Sequence, residues 1–120
     1  MAITGTHAII YAAHPDQTRA FLRDVLGMPH VDAGDGWLIF KTPPAELGVH
    51  PTHPDQPATG HELYLMCDDI EATVAELTNK GVEFTAPITD QGFGLVTALL
   101  VPGGGEIGLY QPRHPVAYNL

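Results

Sequence analysis

A chain of 120 residues is long enough for one domain with a real core and too short for two conventional ones. Its formal charge of -9 rests on five basic residues, Arg19, Arg23, Lys41, Lys80 and Arg113, dispersed rather than gathered into a phosphate-binding stripe, which argues against nucleic acid as a partner. With 44% hydrophobic residues, no apolar run near the roughly 20 residues that span a bilayer, no signal-peptide pattern and a single cysteine, Cys67, the expectation is a soluble cytoplasmic protein without a membrane partner.

In chain order, residues 7–11 (His-Ala-Ile-Ile-Tyr) alternate as a strand does, and His14, Pro15 and Asp16 then supply turn chemistry with proline suited to a first helical position. Ala20, Phe21 and Val25 recur at helical spacing within 17–26, and Gly27 sits where a left-handed cap is usual. Strands fit at 36–40 and, after Pro43 and Pro44, at 45–50, with one more short strand near 30–33. Residues 51–60 hold three prolines among polar residues and read as a linker.

The same order then returns. Residues 61–66 are strand-like, and Asp68 with Glu71 forms a capping-box variant ahead of a helix whose apolar face is Ile70, Val74 and Leu77 and whose end is Gly81. After 82–84, strands are expected at 94–101 and 106–111, joined by a tight turn over 102–105. The closing stretch from Glu106 resembles that from Glu46 nearly residue for residue, so the chain reads as a duplication: a single 1–120 domain with one module over about 4–52 and a second over about 60–113.

His7 and Glu46 in one half occupy the same relative places as His61 and Glu106 in the other. Taken singly, each is an ordinary solvated residue. Taken together, two imidazoles and two carboxylates suit a divalent ion such as zinc, nickel, cobalt, manganese or iron with positions left for substrate, and either glutamate can move a proton. His50 and His53 are separated by proline and read as linker residues, while His14, His30 and His114 beside turns or prolines are expected to be exposed. Cys67 has no basic neighbour and reads as a packed small side chain. Trp37 and Tyr110 are the candidate substrate-contacting aromatics, Trp37 having a core or interface role as its alternative.

The stretches Thr6-His-Ala-Ile-Ile-Tyr11, Ala20-Phe-Leu-Arg-Asp-Val-Leu-Gly-Met28, Gly60-His-Glu-Leu-Tyr-Leu65, Asp68-Asp-Ile-Glu-Ala72 and Val101-Pro-Gly-Gly104 resemble the vicinal oxygen chelate superfamily of glyoxalases, extradiol dioxygenases and fosfomycin- and bleomycin-resistance proteins. The resemblance covers nearly the whole chain. It implies an α+β fold of two βαβββ modules in tandem, an open curled mixed sheet, a cavity often completed in a homodimer, and a metal held by first-strand and later-strand residues. His7, His61 and Glu46 match such ligand positions; the family's final glutamate falls at Gly108, whereas the internal repeat favours Glu106, two residues away on the same strand face. The expected activity is a metal-dependent lyase or isomerase acting on vicinal oxygens of a small molecule. The resemblance also allows a drug-sequestering protein of the bleomycin-resistance type, or an extradiol-type dioxygenase whose further catalytic His and Tyr the sequence does not mark.

Overall fold

The computed structural model describes residues 7–49, 55 and 61–120. Helix α1 (Pro15–Ala20) begins with proline in its first turn and widens into an i→i+5 turn over Phe21–Val25, which Leu26 N–H closes on the Phe21 carbonyl at 3.2 Å. Gly27 follows with φ 66°, the left-handed residue that the sequence places there. Strands β1 (His30–Asp32) and β2 (Leu38–Phe40) form an antiparallel ribbon. β2 is shorter than the expected 36–40 because Asp35 and Gly36 turn the chain with positive φ just before it.

The second half supplies the main sheet. Strand β3 (Tyr64–Met66) leads into helix α2 (Ile70–Asn79), then β4 (Thr89–Asp90), β5 (Gly94–Val101) and β6 (Gly105–Pro112), in the order β3-β6-β5-β4. β3 runs parallel to β6 and the remaining pairs are antiparallel, so the sheet is mixed and open. Phe84 bridges to Leu99 without extending into a strand. The α2 cap is Asp69 rather than the expected Asp68: its extended backbone sets the carboxylate 3.1 Å from the Ala72 N–H. Glu71 is thereby the second helical residue, one short of the place that closes a capping box.

Period-two alternation divides the duties of β5 and β6. Leu99, Val101, Ile107 and Leu109 point to one side and are buried against Ile70 and Leu77 of α2, with Val82 and, from the first half, Phe21. The two halves therefore share a core. The turn over 102–105 is more than a hairpin connection: Gly103 has φ 76° and receives the His14 N–H on its carbonyl at 3.1 Å, and Thr18 donates to the Pro102 carbonyl at 2.8 Å. A Cβ at Gly103 would strike the His14 backbone, so glycine lets this turn seat the start of α1.

Residues 7–11 and 45–49 are not hydrogen-bonded as strands, contrary to their alternation, and His50 lies outside the described residues. Apolar side chains in both stand uncovered: Ile9 is 64% exposed, Tyr11 88%, Leu47 91% and Val49 97%. A strand signal of this kind needs a neighbouring edge and an apolar partner before it becomes structure. The radius of gyration, 15.3 Å, exceeds the ~13.6 Å typical of a compact domain of this length, consistent with a molecule that leaves such surface unpacked. No helix among the described residues is long and apolar enough to cross a membrane.

Candidate functional site

The other face of the main sheet carries Tyr64, Ala98, Glu106, Gly108 and Tyr110, since Tyr64 pairs with Gly108 and Ala98 pairs with the same glycine from the other side. Here lies an open cavity of about 470 Å³, bounded also by His61, Glu62, Pro87 and Thr89. Its floor is set by one close approach. A Cβ added at Gly108 would overlap the Tyr64 ring, so the tyrosine lies flat over a position that only glycine leaves free. Gly94 is covered in the same way by Tyr110.

Tyr64 is fixed at its far end by donating its hydroxyl proton to Glu62 Oε2 at 2.7 Å. That hydrogen bond, with burial and the carboxylate's charge adding to it, pushes the phenol up to about 12. Tyr110 meets Tyr64 edge-on with ring centroids 6.0 Å apart, and Phe93 and His114 lie 5.8 and 5.7 Å from it on other sides. Burial, then the negative charge of Glu46, raises the Tyr110 pKa. Tyr64 is absent from the sequence-derived candidates, although a glycine inside a strand, two residues from a candidate ligand, is the signal that a ring approaches closely.

The four candidate ligands are placed differently from one another. His61 and Glu106 both line the cavity. His7 is exposed. Glu46, whose side chain is only 15% exposed, accepts the Ala117 backbone N–H at 2.7 Å and lies 3.7 Å from His114 Nε2, so the C-terminal segment holds it. His114 is accordingly half-buried rather than exposed, because its ring sits between Tyr110 and Glu46. Among the described residues no three His, Cys, Asp or Glu side chains are grouped to hold a metal ion. Of the four candidate ligands, His61 and Glu106 share the cavity while His7 and Glu46 lie elsewhere, so the described residues of one copy do not group the three protein ligands of a catalytic zinc site.

Trp37 is 62% exposed and stacks with the Arg19 guanidinium, 4.8 Å from the ring centroid, away from the cavity. His14 and His30 are exposed, as expected, and His53 lies outside the described residues. Cys67 is half-buried with its thiol turned to the Tyr110 carbonyl, and burial pushes its pKa up, which suits a packed side chain rather than a nucleophile.

A helix-backed mixed sheet with a cavity on its free face defines a small α+β domain of the glyoxalase-like kind. The family model described as Glyoxalase/Bleomycin resistance protein/Dioxygenase superfamily matches residues 6–107, and the chain belongs to that superfamily. Among solved structures it is similar to TnmS3, an antibiotic binding protein from Streptomyces sp. CB03234, with 25% identity, 93% of this chain and 98% of that one covered, and a TM-score of 0.66. A superfamily member from Sphaerobacter thermophilus DSM 20745 shares 23% identity, with 92% and 99% covered and a TM-score of 0.65. Lactoylglutathione lyase from Agrobacterium tumefaciens has the same fold at 16% identity, with 92% and 96% covered and a TM-score of 0.64. No curated protein matches the sequence.

Proposed function

We propose that this protein binds a small organic molecule in the cavity between β3 and β4 and acts by holding it. The observation that carries this reading is the cavity itself. Its volume, about 470 Å³, lies within the roughly 300–1,000 Å³ of small-molecule sites, and its floor combines an aromatic face with a few polar groups. The likeness to an antibiotic binding protein points the same way. The test is thermal unfolding, in chelator, against a panel of antibiotics and aromatic compounds. A ligand at 100 times its Kd adds about 2.7 kcal/mol, or roughly 10 °C for a chain of this length. The variant Ala98→Phe, which fills the cavity, should abolish the shift. A panel without effect, or a shift that Ala98→Phe leaves intact, would sink the proposal.

A second reading, a metal-dependent lyase or isomerase, is favoured by one observation. His61 and Glu106 share the cavity, while their counterparts His7 and Glu46 belong to the half whose segments 7–11 and 45–49 leave apolar side chains uncovered. In this reading the two modules pair across a homodimer, and the partner copy brings His7 and Glu46 to the cavity with a divalent ion. The mass in solution and the metal content per chain decide it. A dimer holding one zinc, nickel, manganese or iron ion per site, lost in both His7→Ala and His61→Ala, supports the enzyme. A monomer that takes up none of these ions removes it.

A further inference from the structure

The cavity offers acceptors and almost no donors. Tyr64 spends its only proton on Glu62, Thr97 gives its own to the Ala86 carbonyl at 2.7 Å, and Thr89 donates to the Val96 carbonyl at 3.4 Å. A hydroxyl has one proton to give, so what these groups can still present is lone pairs. Glu62 and Glu106 add two carboxylates, which accept only. All five Lys and Arg residues lie in the described part of the chain and none lines the cavity. Arg113, the nearest in sequence to the cavity strands, is turned to Asp90 at 2.7 Å. Among the described residues that line the cavity, His61 alone can donate through its side chain.

We infer that the cavity selects an organic cation bearing N–H donors, an ammonium or amidinium group carried on a flat apolar body, with Glu106 and Glu62 taking the donors and the Tyr64 ring under the body. This rests on the small-molecule reading above and adds to it the chemistry of the ligand. An anion would face two carboxylates with no lysine or arginine to compensate, and a neutral acceptor would make no hydrogen bond with either of them. A donor-bearing cation satisfies both, and charge-assisted hydrogen bonds are the strong ones. The Tyr64 phenol, held protonated to about 12 by Glu62, keeps this donor accounting fixed across the neutral range.

The experiment is an amide NMR titration of the full chain with benzylamine, benzyl alcohol and benzoate, which share a body and differ in charge. Benzylamine should give saturable shifts at Ala98 and Gly108, binding at least about tenfold more tightly than the other two, since hydrogen bonds to charged groups contribute about 1.5 kcal/mol or more. Glu106→Gln should weaken it by about tenfold, and rising ionic strength should weaken it further. Equal or tighter binding of benzyl alcohol or benzoate overturns the inference while leaving the cavity a small-molecule site. Benzylamine producing no shift at millimolar concentration, or binding unchanged in both Glu106→Gln and Glu62→Gln, overturns it as well. The thermal panel of antibiotics and aromatic compounds separately decides whether anything binds there.

Discussion

Replacing Gly108 by alanine adds one carbon, and the structure says where it goes: into the Tyr64 ring. The glycine backbone is not in the left-handed region, so alanine meets no conformational penalty of its own and even gains about 0.4–1 kcal/mol by restricting the unfolded chain. Against that, the ring must swing off the strand. Overpacking of this type costs about 1–3 kcal/mol. The edge-on contact with Tyr110 adds about 0.5–1.5 kcal/mol when lost, and the Tyr64–Glu62 hydrogen bond adds less than its buried value because Tyr64 is 42% exposed. The net expectation is a loss of about 0.5–4 kcal/mol, centred on about 2 kcal/mol. With an unfolding entropy of about 2.1 cal/mol/K per residue, 120 residues turn each kcal/mol into about 4 °C, so the melting temperature should fall by about 8 °C at the centre of that range. Circular dichroism melts of the two proteins, with a phenol titration of each, measure both consequences. An unchanged or higher melting temperature, with the tyrosine still titrating near 12, would refute the placement of the ring.

Glu62→Gln leaves the packing of Tyr64 but removes its anionic acceptor, so the phenol should return from about 12 toward its ordinary value of 10, read by absorbance of the phenolate. Because the folded pKa is raised, the stabilisation from this bond is complete below about pH 10 and is lost as pH climbs through about 12. The variant's stability should therefore fall less steeply than that of the parent across that window. Leu99→Ala in the fully buried centre of the sheet should cost about 2–5 kcal/mol in denaturant unfolding, whereas Glu106→Gln on the exposed face should stay within about 0.5 kcal/mol. Glu46→Ala removes the acceptor of the Ala117 N–H, and amide exchange at Ala117 should quicken by about tenfold, while an unchanged rate would mean that the carboxylate does not hold the C-terminal segment.

What the sequence discloses is the part governed by near neighbours. Gly27 and Gly81 close their helices with φ 66° and 88°, and the 102–105 turn joins two strands whose spans are close to those expected, because caps and tight hairpins are decided within a few residues. Asp69 takes the cap from Asp68 by one position, a shift that backbone geometry alone settles. The stretches at 7–11 and 45–49 show the opposite case, since alternation describes a side that wants cover without saying what covers it. The site divides along the same line. His61 and Glu106 line one cavity because His61 just precedes β3, which pairs with β6 in the same sheet. The tie between Glu46 and Ala117 spans 71 positions and depends on a main-chain amide, which carries no residue-type signal at all.

Strand β6 places Ile107 and Leu109 in the core and Glu106, Gly108 and Tyr110 on the open face. Core packing and the lining of the open face thus alternate along the same eight-residue strand. If the cavity holds a ligand as proposed, Glu106 can be exchanged to alter what it accepts while Ile107 and Leu109 keep the core, whereas Gly108, covered by the Tyr64 ring, is tied to stability as well.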